Sequence, residues 1–316
     1  MGTDFMAISE RIETSQDGFG VFILRNEAVE VGVIPELGAK VAMLRDRGTG
    51  REWMWSEPGA GPLRRSAPGA SFGDGNPVGA DECLPTVMSC AWKGRALPDH
   101  GEAWALPWDL DRRVWAMGRI RTVLRLPVTP FTLEREVSLS EDGVRLDYTL
   151  TNQGPLREEY LWAIHPLFAL REGDRLELPP EVAELRVASA LGAPEAENAE
   201  QWAWPRPFPG FDLDRLRLGE SRNAYVKAFA GPLREGWAAV ANATAGGIEL
   251  RWDAALHPYL GLWLTRGGYR GWHQLALEPT NGAPDSLAEA VESWRCFATL
   301  DPGEIRAWSV AFRLRH

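Results

Sequence analysis

The chain has 316 residues, 45% of them hydrophobic, enough to bury a large core as one big β domain or two ordinary ones. Charged residues make up 25%, which excludes wholesale disorder. A formal net charge of −10 argues against nucleic acid or an anionic membrane as the general partner, though a local basic pocket would still take a phosphate.

Period-2 alternation dominates the pattern. In chain order, alternating runs predict strands over 21–25, 29–34, 40–45, 112–117 and 119–126, then over 131–139 and 144–151. Ser140-Glu141-Asp142-Gly143 joins the last two into a hairpin, with Arg135 as the one polar residue on an otherwise apolar face. More strands are predicted over 160–170, 224–230, 236–241, 247–252, 259–265, 271–278, 294–300 and 306–314. One helix start stands out: Ser286, with Glu289 three residues later, predicts a short helix over 287–293. Segments 56–80 and 179–222 lack strand character and read as long loops that carry aromatic residues. No internal repeat is visible, so one all-β domain over 1–316 is expected.

Cys83, Cys90 and Cys296 are too few and too scattered for a disulfide framework or a Cys-x-x-Cys metal site, and they fit a reducing, cytoplasmic setting. The first residues lack a basic region followed by an apolar run, so no signal peptide is expected. No apolar stretch approaches 18 residues, so no transmembrane helix is expected.

Chemistry concentrates in three segments: Pro98-Asp99-His100-Gly101-Glu102, His165-Pro166-Leu167-Phe168 and Leu277-Glu278-Pro279. Two imidazoles and a carboxylate suffice for acid–base work near neutral pH. Proline after His165 confines that segment to an edge, a bulge or a strand start, and Pro279 should end the pairing after Glu278. The apolar neighbours of Glu278 suit a general base. Asp81 and Glu82 are adjacent in a strand-like run, so they point to opposite faces and cannot flank one glycosidic bond. They enter instead as candidate acceptors for a sugar hydroxyl. The 15 Trp mostly read as packing, but a flat ring can stack on the C–H face of a pyranose. Trp104 and Trp272 are candidates for that role, and His273 is a candidate for the same pocket.

Together these residues resemble the aldose 1-epimerase (galactose mutarotase) family. The shared features are a His-Gly turn (His100-Gly101), a strand with His-Pro-x-Phe (His165 to Phe168) and a late Glu (Glu278). Glu36-Leu37-Gly38-Ala39-Lys40-Val41 resembles the family's Gly-Ala turn between two early strands, and Phe131, Leu133 and Arg135 resemble its central strand. The resemblance covers about residues 18–314. It implies a galactose mutarotase-like β-supersandwich of large twisted antiparallel sheets with very little helix. It also implies interconversion of sugar anomers with no cofactor and no metal. Glu278 would take the proton of the C1 hydroxyl, His165 would protonate the ring oxygen, and His100 would hold the sugar near that oxygen.

Two departures bear on recognition. Asp81-Glu82-Cys83 stands where the family has an Asn-Arg motif, and Asn223-Ala224-Tyr225 stands where it has an Asp-His pair. A hexose-6-phosphate 1-epimerase would need arginines such as Arg64, Arg65 or Arg206, while a non-catalytic carbohydrate-binding protein would need only the aromatic cleft. The expected partner is a small sugar, with the protein a monomer or homodimer.

Overall fold

A computed structural model describes residues 10–75, 78–192, 199–207, 212–216 and 223–315. Parts of both predicted loops and the two ends of the predicted domain lie outside the described residues. Alternation along the strands builds two large antiparallel sheets, because each strand has one apolar face that must be covered.

Among the described residues, the larger sheet has 11 strands. From one edge they run Glu10–Gln16, Phe19–Arg25, Val29–Ile34, Lys40–Asp46, Ala80–Cys83 and Ala163–Phe168. His273–Thr280, Tyr259–Arg266, Ala224–Ala230, Glu184–Leu191 and Gln201–Ala203 complete it. Among the described residues the second sheet has 9 strands, with Gly246–Trp252, Ile305–Arg315, Gly143–Asn152 and Phe131–Leu139 as consecutive neighbours near its middle. The core lies between the sheets. Leu24, Val31, Ile164 and Leu277 from one sheet share a cluster with Leu133, Leu146, Leu250 and Val310 from the other, and Trp162, just before the strand Ala163–Phe168, joins it. Among the described residues, no helix is long and apolar enough to cross a membrane.

The predicted hairpin forms as Phe131–Leu139 paired with Gly143–Asn152. The predicted helix start holds too: Ser286 Oγ accepts from the Glu289 amide, and Leu287–Glu289 is helical before the chain widens into a π turn over Ala290–Trp294. The strand expected over 112–117 is instead the helix Arg112–Ala116. Asp111 caps it by accepting from the amides of Arg113 and Val114, and this local satisfaction outweighs the alternation. Segment 179–222 does contain strands, Glu184–Leu191 and Gln201–Ala203 among them.

Arg135, on the apolar face of its strand, crosses the core. Its Nη1 donates to Glu82 Oε1 of the opposite sheet at 2.8 Å. Tyr148 Oη also donates to Oε1 at 2.8 Å, and Trp162 Nε1 donates to Oε2 at 3.0 Å. Arg135 Nη2 donates to the carbonyl of Ala39. Removing one partner of such a pair leaves an uncompensated buried charge, so Arg135→Met should cost about 3–5 kcal/mol in urea unfolding. The double change Glu82→Gln with Arg135→Met should recover much of that loss. Equal stability of the wild type and the single variant would contradict this role.

Candidate active site

Neighbouring strands of the larger sheet carry ionisable groups side by side on the face turned away from the core. The register places Asp81 opposite His165. On its other side, the strand Ala163–Phe168 pairs with His273–Thr280 at Ala163↔Thr280 and again at Leu167↔Ala276. His165 and Glu278 fall opposite each other in the interval between. Pro166 and Pro279 both lie there, and neither has an N–H to give the ladder. Of the edge, bulge or strand start expected at His165, the edge is excluded: its strand is central, and the ladder is open locally at the two prolines. Pairing also continues past Glu278, since Pro279 is opposite Leu260 and Thr280 opposite Tyr259.

His165 Nε2 lies 3.4 Å from Glu278 Oε1. Oε1 and His165 Nδ1 are buried without a hydrogen-bond partner among the described residues. Burial pushes the His165 ring well below its usual 6.5, and His100, Lys227 and Lys40 push the same way. The ring is neutral near pH 7.

Glu278 does not stand among apolar groups alone, as its sequence neighbours suggested. Lys227 Nζ, from Ala224–Ala230, donates to Glu278 Oε2 at 2.6 Å and lies 3.2 Å from Asp285 Oδ1. The strand between them contributes Gly261, opposite Glu278 in register. A Cβ at Gly261 would sit 3.1 Å from Glu278 Oε2, so glycine there leaves room for the lysine to reach across. Burial alone would lower the Lys227 ammonium, but Asp285 and Glu278 outweigh it and raise it. Burial raises the Asp285 carboxyl, with Lys227 opposing and the Glu278 charge adding to the rise. Lys227 and Asp285 were missed from the sequence.

His100 reaches the same place from a turn. Its φ is +56°, a strained conformation for a residue with a side chain. The turn is held by the His100 amide on the Val87 carbonyl at 2.6 Å. Gly101 follows at φ +73°, where a Cβ would lie 2.2 Å from the Leu84 carbonyl oxygen, so only glycine fits. Glu102 anchors the turn by accepting from the amides of Val128 and Thr129 and from the Thr129 hydroxyl. The His100 and His165 rings are 5.0 Å apart, nearly perpendicular at 76°. Asp99 Oδ1 is 2.8 Å from His100 Nδ1, and its Oδ2 accepts from the Phe72 amide at 2.9 Å. Burial alone would raise the Asp99 carboxyl, but the hydrogen bond and charge of His100 bring it below its usual range. Phe72 stacks flat on His100 at 3.9 Å and meets His165 edge-on at 5.4 Å.

Above these groups lies an open cavity of about 240 Å³. Phe72, Met88, His100, His165, Lys227, Gln274 and Asp285 line it, with an aromatic wall of Trp263, Tyr269 and Trp272. Arg270 ties its rim together, donating to the Gly73 carbonyl and to Asp74 Oδ1, each at 2.6 Å.

The sugar-contact candidates divide. Trp272 lines the cavity. Trp104 does not; it backs Phe72 edge-on at 5.1 Å and donates to the Asp99 carbonyl. His273 alternates away from the cavity, and its neighbour Gln274 takes the inward position. Asp81 is buried on the cleft side below the cavity and paired with Lys40. Glu82 points the other way, into the core network with Arg135. His257 lies among core rings, 4.8 Å from Trp162 and 5.2 Å from Trp308. Asp99→Ala should speed amide exchange at Phe72 by about ten-fold or more, as expected for loss of a charged hydrogen bond worth about 1.5–3 kcal/mol. Unchanged exchange would contradict its hold on the Phe72 turn.

No family model matches the chain, and a search of curated proteins gives no match. Solved structures do match. A galactose mutarotase-like protein from Lactobacillus casei ATCC 334 aligns with TM-score 0.66 and 19% identity over 94% of this chain and 100% of that one. A galactose mutarotase related enzyme from Lactobacillus acidophilus aligns with TM-score 0.67 and 16% identity over 94% and 97%. A galactose mutarotase-like protein from Clostridium acetobutylicum aligns with TM-score 0.65 and 12% identity over 98% and 99%. At these identities the likeness establishes the architecture: the chain has the galactose mutarotase-like fold.

Proposed function

We propose that the protein is an aldose 1-epimerase that interconverts the α and β anomers of a sugar by opening and reclosing its ring. The observation that carries this reading is an opposed pair in which His165 lines the cavity and Glu278 lies buried behind it, a carboxylate oxygen 3.4 Å from an imidazole nitrogen, with neither engaged elsewhere on the facing atom among the described residues. The hydroxyl oxygen on C1 and the ring oxygen O5 share the anomeric carbon, so one base and one acid set side by side can serve both.

Glu278 takes the proton of the C1 hydroxyl. The C1–O5 bond breaks with its electron pair on O5, which takes the proton of the His165 ring N–H. C1 becomes an aldehyde carbon and rotates about C1–C2. On closure O5 attacks the other carbonyl face and returns its proton to His165, while Glu278 protonates the carbonyl oxygen. Both residues finish as they began. His100, fixed by Asp99, hydrogen-bonds the sugar near O5. The wall of Trp263, Tyr269 and Trp272 stacks on the sugar's C–H face. The cavity lies near the lower bound of small-ligand pockets, about 300 Å³, which suits one sugar ring better than a polymer.

A phosphorylated sugar is less well served. Lys227, the cation on the cavity lining, already lies between two carboxylates. Arg64, Arg65 and Arg206 are absent from that lining; they engage the Asp74 carbonyl, Glu36 and Asp212.

Anomer exchange measured by NMR over a panel of neutral aldoses tests the reading. The wild type should exceed buffer for at least one sugar, and Glu278→Gln should lose about 100-fold or more, the lower range for general base catalysis. A wild type that binds sugars but exchanges none would identify a carbohydrate-binding protein instead. Unchanged exchange in Glu278→Gln would remove the carboxylate from the mechanism.

A further inference from the structure

A carboxylate 3.4 Å from an imidazole has a competing arrangement: the ring takes up a proton and the two form an ion pair. In that state the base is tied up by its own acid. Ionisable groups from four neighbouring strands and the His100 turn face the His165 ring. The Glu278 carboxyl lies 3.4 Å from the ring and Asp81 stands opposite it in register; a carboxylate at either place would favour a protonated ring. Lys227, Lys40 and His100 oppose one. Burial also opposes one, and the balance leaves the ring neutral.

We propose that Lys227 is a positioning residue for the reacting pair: its ammonium holds Glu278 by Oε2, leaves Oε1 facing His165 without a hydrogen-bond partner among the described residues as the free base, and prevents His165 from collapsing onto that base as an ion pair. Its catalytic consequence rests on the mutarotase reading. Geometry supports it in three ways. The lysine is buried and hydrogen-bonded to the oxygen distal to His165. Gly261 clears its path across the intervening strand. Asp285 sits on its other side, so the buried cation is balanced without drawing charge from Oε1. A cation that disfavours a second proton on the ring also favours release of the first. Lys227 thereby improves the His165 N–H as a donor to the ring oxygen.

The test uses Lys227→Met, and Lys227→Gln should the first not fold, with two measurements. The first is titration of the His165 ring by NMR. In the wild type the ring should stay neutral well below 6.5. In the variants its titration should move up by about one pH unit or more, as expected when a cation is removed at close range. An unmoved titration overturns the inference whatever happens to activity. The second is anomer exchange across sugar concentration. kcat at neutral pH should fall about ten-fold or more with KM changed less than about three-fold, the pattern of a lost transition-state contribution. A raised KM with unchanged kcat would make Lys227 a sugar contact and overturn the inference. Absence of exchange in the wild type would sink the mutarotase reading alone, and the titration would still decide the role of Lys227.

Discussion

A row of buried charge crosses the middle of the larger sheet, and the rest of the site is arranged around it. From strand to strand it reads Lys40, Asp81, His165, Glu278, Gly261 and Lys227, with Asp285 closing the end. Single buried charges are costly, several kcal/mol each, and removing one member exposes that cost in its neighbour. The row is tolerable because each lysine meets a carboxylate. The imidazole is the one member that need not carry charge. It sits at the centre, between the two carboxylates, and burial and the cations keep it neutral.

The backbone makes room for this row at two places. Pro166 and Pro279 interrupt one ladder, so the side chains of His165 and Glu278 meet across an opened stretch. Gly261 removes the side chain that would separate Glu278 from Lys227. Behind the sheet, the opposite face of the same strand does different work. Asp81 belongs to the cleft row, whereas Glu82, one residue on, locks the two sheets together through Arg135, Tyr148 and Trp162. One strand thus ties the electrostatics of the site to the integrity of the core.

Much of the architecture was legible because alternation reports burial on one face. Phe131–Leu139 and Gly143–Asn152 announced themselves that way, as did Ala224–Ala230. Glu10–Gln16 did not, since nearly all of it is exposed and, among the described residues, it pairs on one side only. Glu184–Leu191 is also largely exposed, and its pairing with Ala224–Ala230 breaks register at a bulge. His100, His165 and Glu278 were visible as residue types beside Gly or Pro. Lys227 was not, because a lysine in a strand ordinarily reads as the solvent face. Its burial depends on Glu278, Asp285 and Gly261, all distant in sequence. Glu82 was misplaced for the same reason: its partners come from the other sheet.

The central claim is that base and acid address adjacent oxygens of one sugar from within the row. A structure of the wild-type protein equilibrated with an aldose it interconverts tests this directly. The account predicts the C1 hydroxyl at Glu278 Oε1 and the ring oxygen at the His165 ring, each within about 3 Å, the reach of proton transfer. A sugar seated in the cavity with C1 and O5 facing solvent, and another edge against the pair, would contradict it.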